Sequence, residues 1–196
     1  MDISPVILLS VFRFLDLNDL ARAAGACFEW WCVIKRYRLM ERNWEELDLS
    51  GTGKLYCVIP RRAFRSLTCL NLASTQLSNR HFQLMMQSAI SLERLDISDC
   101  PALDQIAIFR AKESQRELQH IAISRNKQFT ILAIACLCSF PELVTIEAHG
   151  IELRPEELLF LSKTFESVGN GYLQLETEEG HNPLDIMNTF ERELFQ

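Results

Sequence analysis

The chain has 196 residues, 48% of them hydrophobic, and a net charge of −6. That is apolar side chain enough for a sizeable core, as one domain or as a small domain beside a larger one. The acidic balance argues against a nucleic-acid surface, which needs clustered Lys and Arg. The seven cysteines (27, 32, 57, 69, 100, 136 and 138) are odd in number and irregularly spaced, unlike a disulfide framework, so a reducing compartment, cytoplasm or nucleus, is expected.

The first segment, "ISPVILLSVFRFL" (3–15), holds nine apolar side chains in thirteen positions. Asp2 is the only charge before it, unlike the basic start of a secretory signal, and Arg13 interrupts it well short of the ~20 residues of a spanning helix. "FTILAIACLCSF" (129–140) is too short for the same reason. No membrane association is expected. Wound as a helix, Phe14, Ile7, Val11, Leu15, Leu8 and Phe12 form one broad apolar arc, with Val6 and Leu9 outside it. Asp16 and Asp19 suit the start of a second helix carrying Leu20, Ala23, Ala24 and Cys27 at i, i+3, i+4, i+7. "FEWWCVIKRY" reads as a third, whose adjacent Trp30 and Trp31 cannot both face one core. About forty residues cannot bury this much apolar surface alone. The surplus covers the rest of the chain or meets a partner. Charge divides at the same place: residues 1–43 hold six Lys/Arg against five Asp/Glu (+1), the remainder fourteen against twenty-one (−7).

From residue 44 onward a repeat sets in. "LTCLNLAST" from Leu67, "LERLDISDC" from Leu92, "LQHIAISRN" from Leu118 and "LVTIEAHGI" from Leu143 share apolar first, fourth and sixth positions, with starts 25, 26 and 25 residues apart. "WEELDLSGT" from Trp44 fits 23 residues earlier, and "NGYLQLETE" from Asn170 fits 27 later. The apolar fourth and sixth residues point to one face of a short strand. Between strands, "SNRHFQLMMQSA" offers Ser78 as an N-cap with Phe82, Met85, Met86 and Ala89 on one helical face. "RPEELLFLSKTF" places Pro155 in a first turn with Leu158, Leu161 and Phe165 along one side. "NPLDIMNTFEREL", with Leu184, Met187, Phe190 and Leu194, is expected to cover the end of the stack.

The frame resembles the leucine-rich repeat L-x-x-L-x-L-x-x-N/C-x-L, with Cys100 and Asn126 in the N/C place and Thr75 and Ile151 replacing them in two repeats. Residues 3–44 resemble an F-box. The pattern L-P-x-E-I-L-x-x-I-F-x-x-L-x-x-x-D-L is met by "ISPVILLSVFRFLDLNDL", V-C-K-x-W by "ACFEW", and L-W-x-x-L-D-L by "NWEELDL". The start departs from it: Ile3-Ser4 replaces Leu-Pro, Pro5 comes one place late, and Val6 replaces the acid. The resemblance implies an α/β chain, a small three-helix F-box (1–43) followed by a short curved leucine-rich-repeat solenoid with a parallel sheet on its concave face (44–196). It implies a substrate-recognition subunit of a cullin–RING ubiquitin ligase. The adaptor subunit would be held by Pro5, Ile7, Leu8, Leu9, Val11, Phe12, Leu15, Leu20, Trp30 and Trp31, the cullin would be reached through that adaptor, and the repeats would hold a protein substrate. The alternative is a leucine-rich scaffold whose F-box-like helices only cap the stack, with no role in ubiquitination.

In the repeat frame the third, fifth and seventh residues point away from the core. The third column reads Glu46, Cys69, Arg94, His120, Thr145, Tyr172; the fifth Asp48, Asn71, Asp96, Ala122, Glu147, Gln174; the seventh Ser50, Ala73, Ser98, Ser124, His149, Glu176. Asp48, Asn71, Arg94, Asp96, His120, Glu147, His149 and Tyr172 are the candidate substrate contacts. The middle column has three acids and no base, so its ligand should offer Lys, Arg or amide donors. Catalytic chemistry is not legible. "SGTGK" (50–54) has Asp48 where a phosphate loop needs its first Gly, Cys136 and Cys138 lack a second pair at zinc spacing, and His120 and His149 fall in different columns. No enzyme activity, metal or cofactor is expected.

Overall fold

The computed structural model describes residues 5–36, 38–41, 44–52, 59, 61–151, 157, 160, 161 and 174–176. It is a mixed α/β fold with six helices and a six-stranded parallel sheet among the described residues. Helices α1 (Pro5–Phe12), α2 (Leu17–Ala26) and α3 (Phe28–Arg36) come first, then a 3₁₀ turn at Leu39–Glu41. Strands β1 (Glu46–Asp48), β2 (Cys69–Asn71), β3 (Arg94–Asp96), β4 (His120–Ala122), β5 (Thr145–Glu147) and β6 (Gln174–Glu176) lie in sequence order. A second 3₁₀ turn (Arg61–Phe64) precedes β2, and α4 (Asn79–Met86), α5 (Gln105–Ala111) and α6 (Ile131–Leu137) connect the strands that follow.

The strand register follows from the alternation in each repeat. Leu47, Leu70, Leu95, Ile121 and Ile146 stand side by side in successive strands, and all are buried, as are the sixth-position Leu49, Leu72, Ile97, Ile123 and Ala148. The parallel ladder runs past the strands themselves. Leu49, Leu72, Ile97 and Ile123 donate their N–H groups to the carbonyls of Asn71, Asp96, Ala122 and Glu147 on the next strand. The helices cover this apolar face with Phe82, Met85 and Met86 from α4, Ala107 and Ile108 from α5, and Ala133, Ile134 and Leu137 from α6. Ser78 occupies the N-cap of α4 as expected, but its hydroxyl meets Nδ1 of His81 at 2.8 Å instead of a backbone N–H. Asp104 and Thr130 cap α5 and α6 through Ile106 N–H and Leu132 N–H.

Two features recur at fixed places in the repeat. The eighth residue is left-handed in all five repeats where it is described: Gly51, Ser74, Asp99, Arg125 and Gly150 have φ of 65°, 57°, 52°, 57° and 70°. A polar side chain three places beyond β3 and β4's apolar pair, at the ninth position, then satisfies the turn. Asn126, fully buried, accepts from Cys100 N–H at 2.7 Å and donates to the Ile97 and Ile123 carbonyls at 2.8 and 2.9 Å. Cys100 donates its thiol to Leu72 O, and the Thr75 hydroxyl donates to the same carbonyl.

One strand is shifted from the sequence reading. Ile146 pairs with Leu175, so Gln174 and not Tyr172 stands in the third column, and Glu176 moves from the seventh to the fifth. The last strand thus enters two residues later than the Asn170 frame predicts. Tyr172 itself lies outside the described residues, as do Pro155, Leu158, Phe165, Leu184, Met187, Phe190 and Leu194; Leu161 is buried.

The helical segment and the sheet share one core. A single hydrophobic cluster runs from Leu8 through the strands to Leu161. At its start, Asn18 of α2 accepts the N–H of Asp48 at 2.9 Å, so α2 covers the outer edge of β1. The Ser66 hydroxyl accepts from Trp44 N–H and donates to Trp44 O, fixing the entry into the sheet.

Candidate interaction surfaces

Helix α1 is apolar nearly all round, and packing decides which side turns inward. Leu8 and Phe12 face the core, where Phe12 meets the edge of Trp30 with ring centroids 5.6 Å apart. Ile7 and Val11, one turn apart, are 57% and 52% exposed, and Phe14 beyond the helix end is 90% exposed. On α3, Phe28 is 72% exposed and stacks on Trp31, whose ring is also covered by Lys35 Nζ at 4.4 Å. Both tryptophans are half-buried and both pack against the core cluster.

This corrects part of the expected adaptor surface. Leu8, Phe12 and Leu20 are buried within the chain and present nothing to a partner. Ile7 and Val11 do face outward, Leu9, Leu15, Trp30 and Trp31 are partly accessible, and the side chain of Pro5 lies outside the described residues. Phe14 and Phe28 belong to the exposed set but were not among the expected contacts. Their spacing could have shown it, since Phe14 is seven residues from Ile7 and Phe28 three from Trp31.

The open face of the sheet carries the third, fifth and seventh columns. Asp48, Asn71, Asp96, Ala122 and Glu147 are aligned across it, and Glu176 is in backbone register with Glu147, so the fifth column has four acids where the sequence frame counted three. Three of its members also hold the turn after their strand. Asp48, Asn71 and Asp96 accept the N–H of Ser50, Ala73 and Ser98 at 2.9, 2.9 and 2.8 Å. In the third column, Arg94 reaches past Cys69 to Glu46 at 3.7 Å. Burial pushes the Cys69 thiol up, opposed by the Arg94 guanidinium, so it is a neutral, half-buried group. His120 is exposed in this row, and His149, in the seventh column, donates its backbone N–H to Ser124 Oγ at 3.1 Å.

A depression of ≈ 220 Å³ opens on this face, lined by Cys69, Arg94, Asp96, His120, Ala122 and Glu147 among others. Five of the expected substrate contacts, Asn71, Arg94, Asp96, His120 and Glu147, therefore converge on one place; Asp48 and His149 lie outside it.

The remaining motifs have local explanations. Ser50–Thr52 form the turn after β1, with Gly51 left-handed and its N–H bonded to Ala73 O. Cys138 is buried, donates to Ile134 O at 3.0 Å, and burial pushes its thiol up to about 12. Among the described residues no group of His, Cys, Asp and Glu is placed to hold a metal, and no helix is long and apolar enough to cross a membrane. No family model and no curated protein matches the chain.

Proposed function

We propose that the chain is a non-catalytic substrate receptor of a cullin–RING ubiquitin ligase, with α1–α3 as an F-box that docks the adaptor and the sheet as a leucine-rich-repeat surface that holds the protein to be modified. One observation carries this reading. Ile7, Val11 and Phe14 form an exposed apolar strip on a helical segment whose core positions are already filled by Leu8, Phe12 and Leu20. Exposed apolar side chains grouped on one small element mark a docking surface more often than isolated ones do. The strip and the open sheet face are carried by one continuous core, so a protein bound to the sheet would be held at a fixed place relative to the adaptor. Catalysis would then act by proximity, presenting substrate lysines to the charged conjugating enzyme. The repeat geometry suits a concave surface, because packed helices need 8–10 Å each and strands only 4.7–4.9 Å, so a stack with helices on one side bends toward the sheet.

The Asn18 bond to Asp48 N–H supports a second reading, a repeat scaffold whose helices serve to cover the edge of β1. Co-purification with the adaptor and cullin separates the two. The receptor reading expects both to be retained by the intact chain and lost when Ile7 and Val11 are changed to Asp; no retention by the intact chain favours the scaffold.

A further inference from the structure

The helices behind the sheet carry an apolar band on their outer side. Counted from the N-caps Ser78, Asp104 and Thr130, the second and fifth residues of α4, α5 and α6 are exposed or half-buried. On α4 they are polar, Arg80 and Gln83. On α5 they are Ile106 and Phe109, 45% and 42% exposed, and on α6 they are Leu132, 52% exposed, and the half-buried Ala135. Glu157 and Phe160, both helical, continue the two rows 25 residues further on, with Phe160 51% exposed. Helix α6 (Ile131–Leu137) has no charged or amide side chain at all. A helix apolar all round is ordinarily buried, yet α6 lies in the outer layer. Its row runs Arg80, Ile106, Leu132, Glu157: a base, two apolar side chains, an acid. Opposite charges at its two ends make the band complementary to itself when turned end for end.

We propose that this band pairs with the same band of a second copy of the chain, about a two-fold axis that runs between α5 and α6 along the helix direction. Such an axis reverses the order of the helices and keeps their direction, and it forms every contact twice. Arg80 of each copy then faces Glu157 of the other, Ile106 faces Leu132, and the Phe109 ring meets the notch left by the small Ala135. The alternative axis, along the row, would set Arg80 on Arg80 and Glu157 on Glu157, which like charge disfavours. An anionic membrane or an acidic helix would suit Arg80 but be opposed by Glu157, so the acid end selects a second copy. The band is about 30 Å across the helices and about 10 Å along them, well short of the ~800 Å² per partner of a standard interface. The dimer is therefore weak, with a Kd on the order of 10–100 μM. The sheet lies on the far side of the helices and stays open, so the pairing neither needs nor blocks the receptor role.

The test is sedimentation velocity of the intact chain over about 5–500 μM, a range that brackets the expected Kd. The weight-average mass should rise from one chain to two and stop there. Ile106→Asp and Leu132→Lys, both at exposed positions, should each leave the circular dichroism spectrum unchanged and hold the chain monomeric. An equimolar mixture of the two variants should associate again, because one Asp then faces one Lys while the other Ile–Leu contact is intact. Arg80→Glu should weaken self-association about fivefold. A chain that stays monomeric at every concentration overturns the proposal. A lower melting temperature in Leu132→Lys would then show the band covered from within the chain, and co-sedimentation with phosphatidylserine vesicles would show a membrane on it. Association that continues past two copies, that survives both single variants, or that the mixture fails to restore overturns it equally.

Discussion

Asn126 sits where three backbone groups from two turns would otherwise be buried unpaired. Its amide satisfies Cys100 N–H and the carbonyls of Ile97 and Ile123. Asn126→Ala should therefore cost about 3 kcal/mol, more than a typical surface change, measured as a lower urea midpoint with unchanged slope. The acids of the open face divide by the same logic. Asp48 and Asp96 each cap the residue two places on, so Asp→Asn should leave stability within about 0.5 kcal/mol while Asp→Lys loses about 1 kcal/mol per site. Glu147 makes no such bond among those described, and Glu147→Lys should be nearly neutral. Equal costs at all three positions in thermal melts would show that column charge, and not the turn, is what these residues contribute.

At the level of the element, α1 has two faces of one composition and opposite fates. Leu8→Asp buries a charge against Phe12 and the core, which costs several kcal/mol, and the helical segment should unfold. Ile7→Asp with Val11→Asp places both charges in solvent and should leave the melting temperature within a few degrees while abolishing adaptor co-purification. Circular dichroism beside the pull-down separates the cases. The sequence pattern showed that this helix was apolar but not which side turned in, because an amphipathic rule has no purchase where Ile7, Leu8, Val11 and Phe12 are equally hydrophobic; Trp30 decides it by closing on Phe12. Strand β6 illustrates a different limit. Leu173 and Leu175 alternate, so a slip of two residues keeps every side chain on its own face, and parity cannot separate Tyr172 from Gln174. The left-handed eighth position was hidden because Ser74, Asp99 and Arg125 occupy it three times in five; Gly51 and Gly150 in one column were the available sign. What was legible, the period and the buried fourth and sixth columns, is what every repeat must satisfy for itself.

For the molecule as a whole, the thiols set a limit on alkaline stability. Burial raises Cys69, Cys100 and Cys136 above their ordinary value of 9.0 and takes Cys138 to about 12. These groups are neutral when protonated, so the folded chain holds their protons at pH values where the unfolded chain has lost them. Their contribution is complete below pH 9 and declines as pH rises from 9 toward 12. Urea midpoints should accordingly fall over that interval, and Cys138→Ala, though it opens a small cavity, should flatten the fall. A midpoint independent of pH above 9 would contradict the burial of these thiols.

The placement of the tryptophans has an optical consequence. All three, Trp30, Trp31 and Trp44, precede the first strand, so intrinsic emission watches the helical segment and its junction and is blind to β2–β6, while ellipticity reports on both. Because one apolar cluster joins Leu8 to Leu161, the two signals should lose amplitude along the same curve on heating. An emission change that ran ahead of the ellipticity would reveal helices that detach before the sheet comes apart.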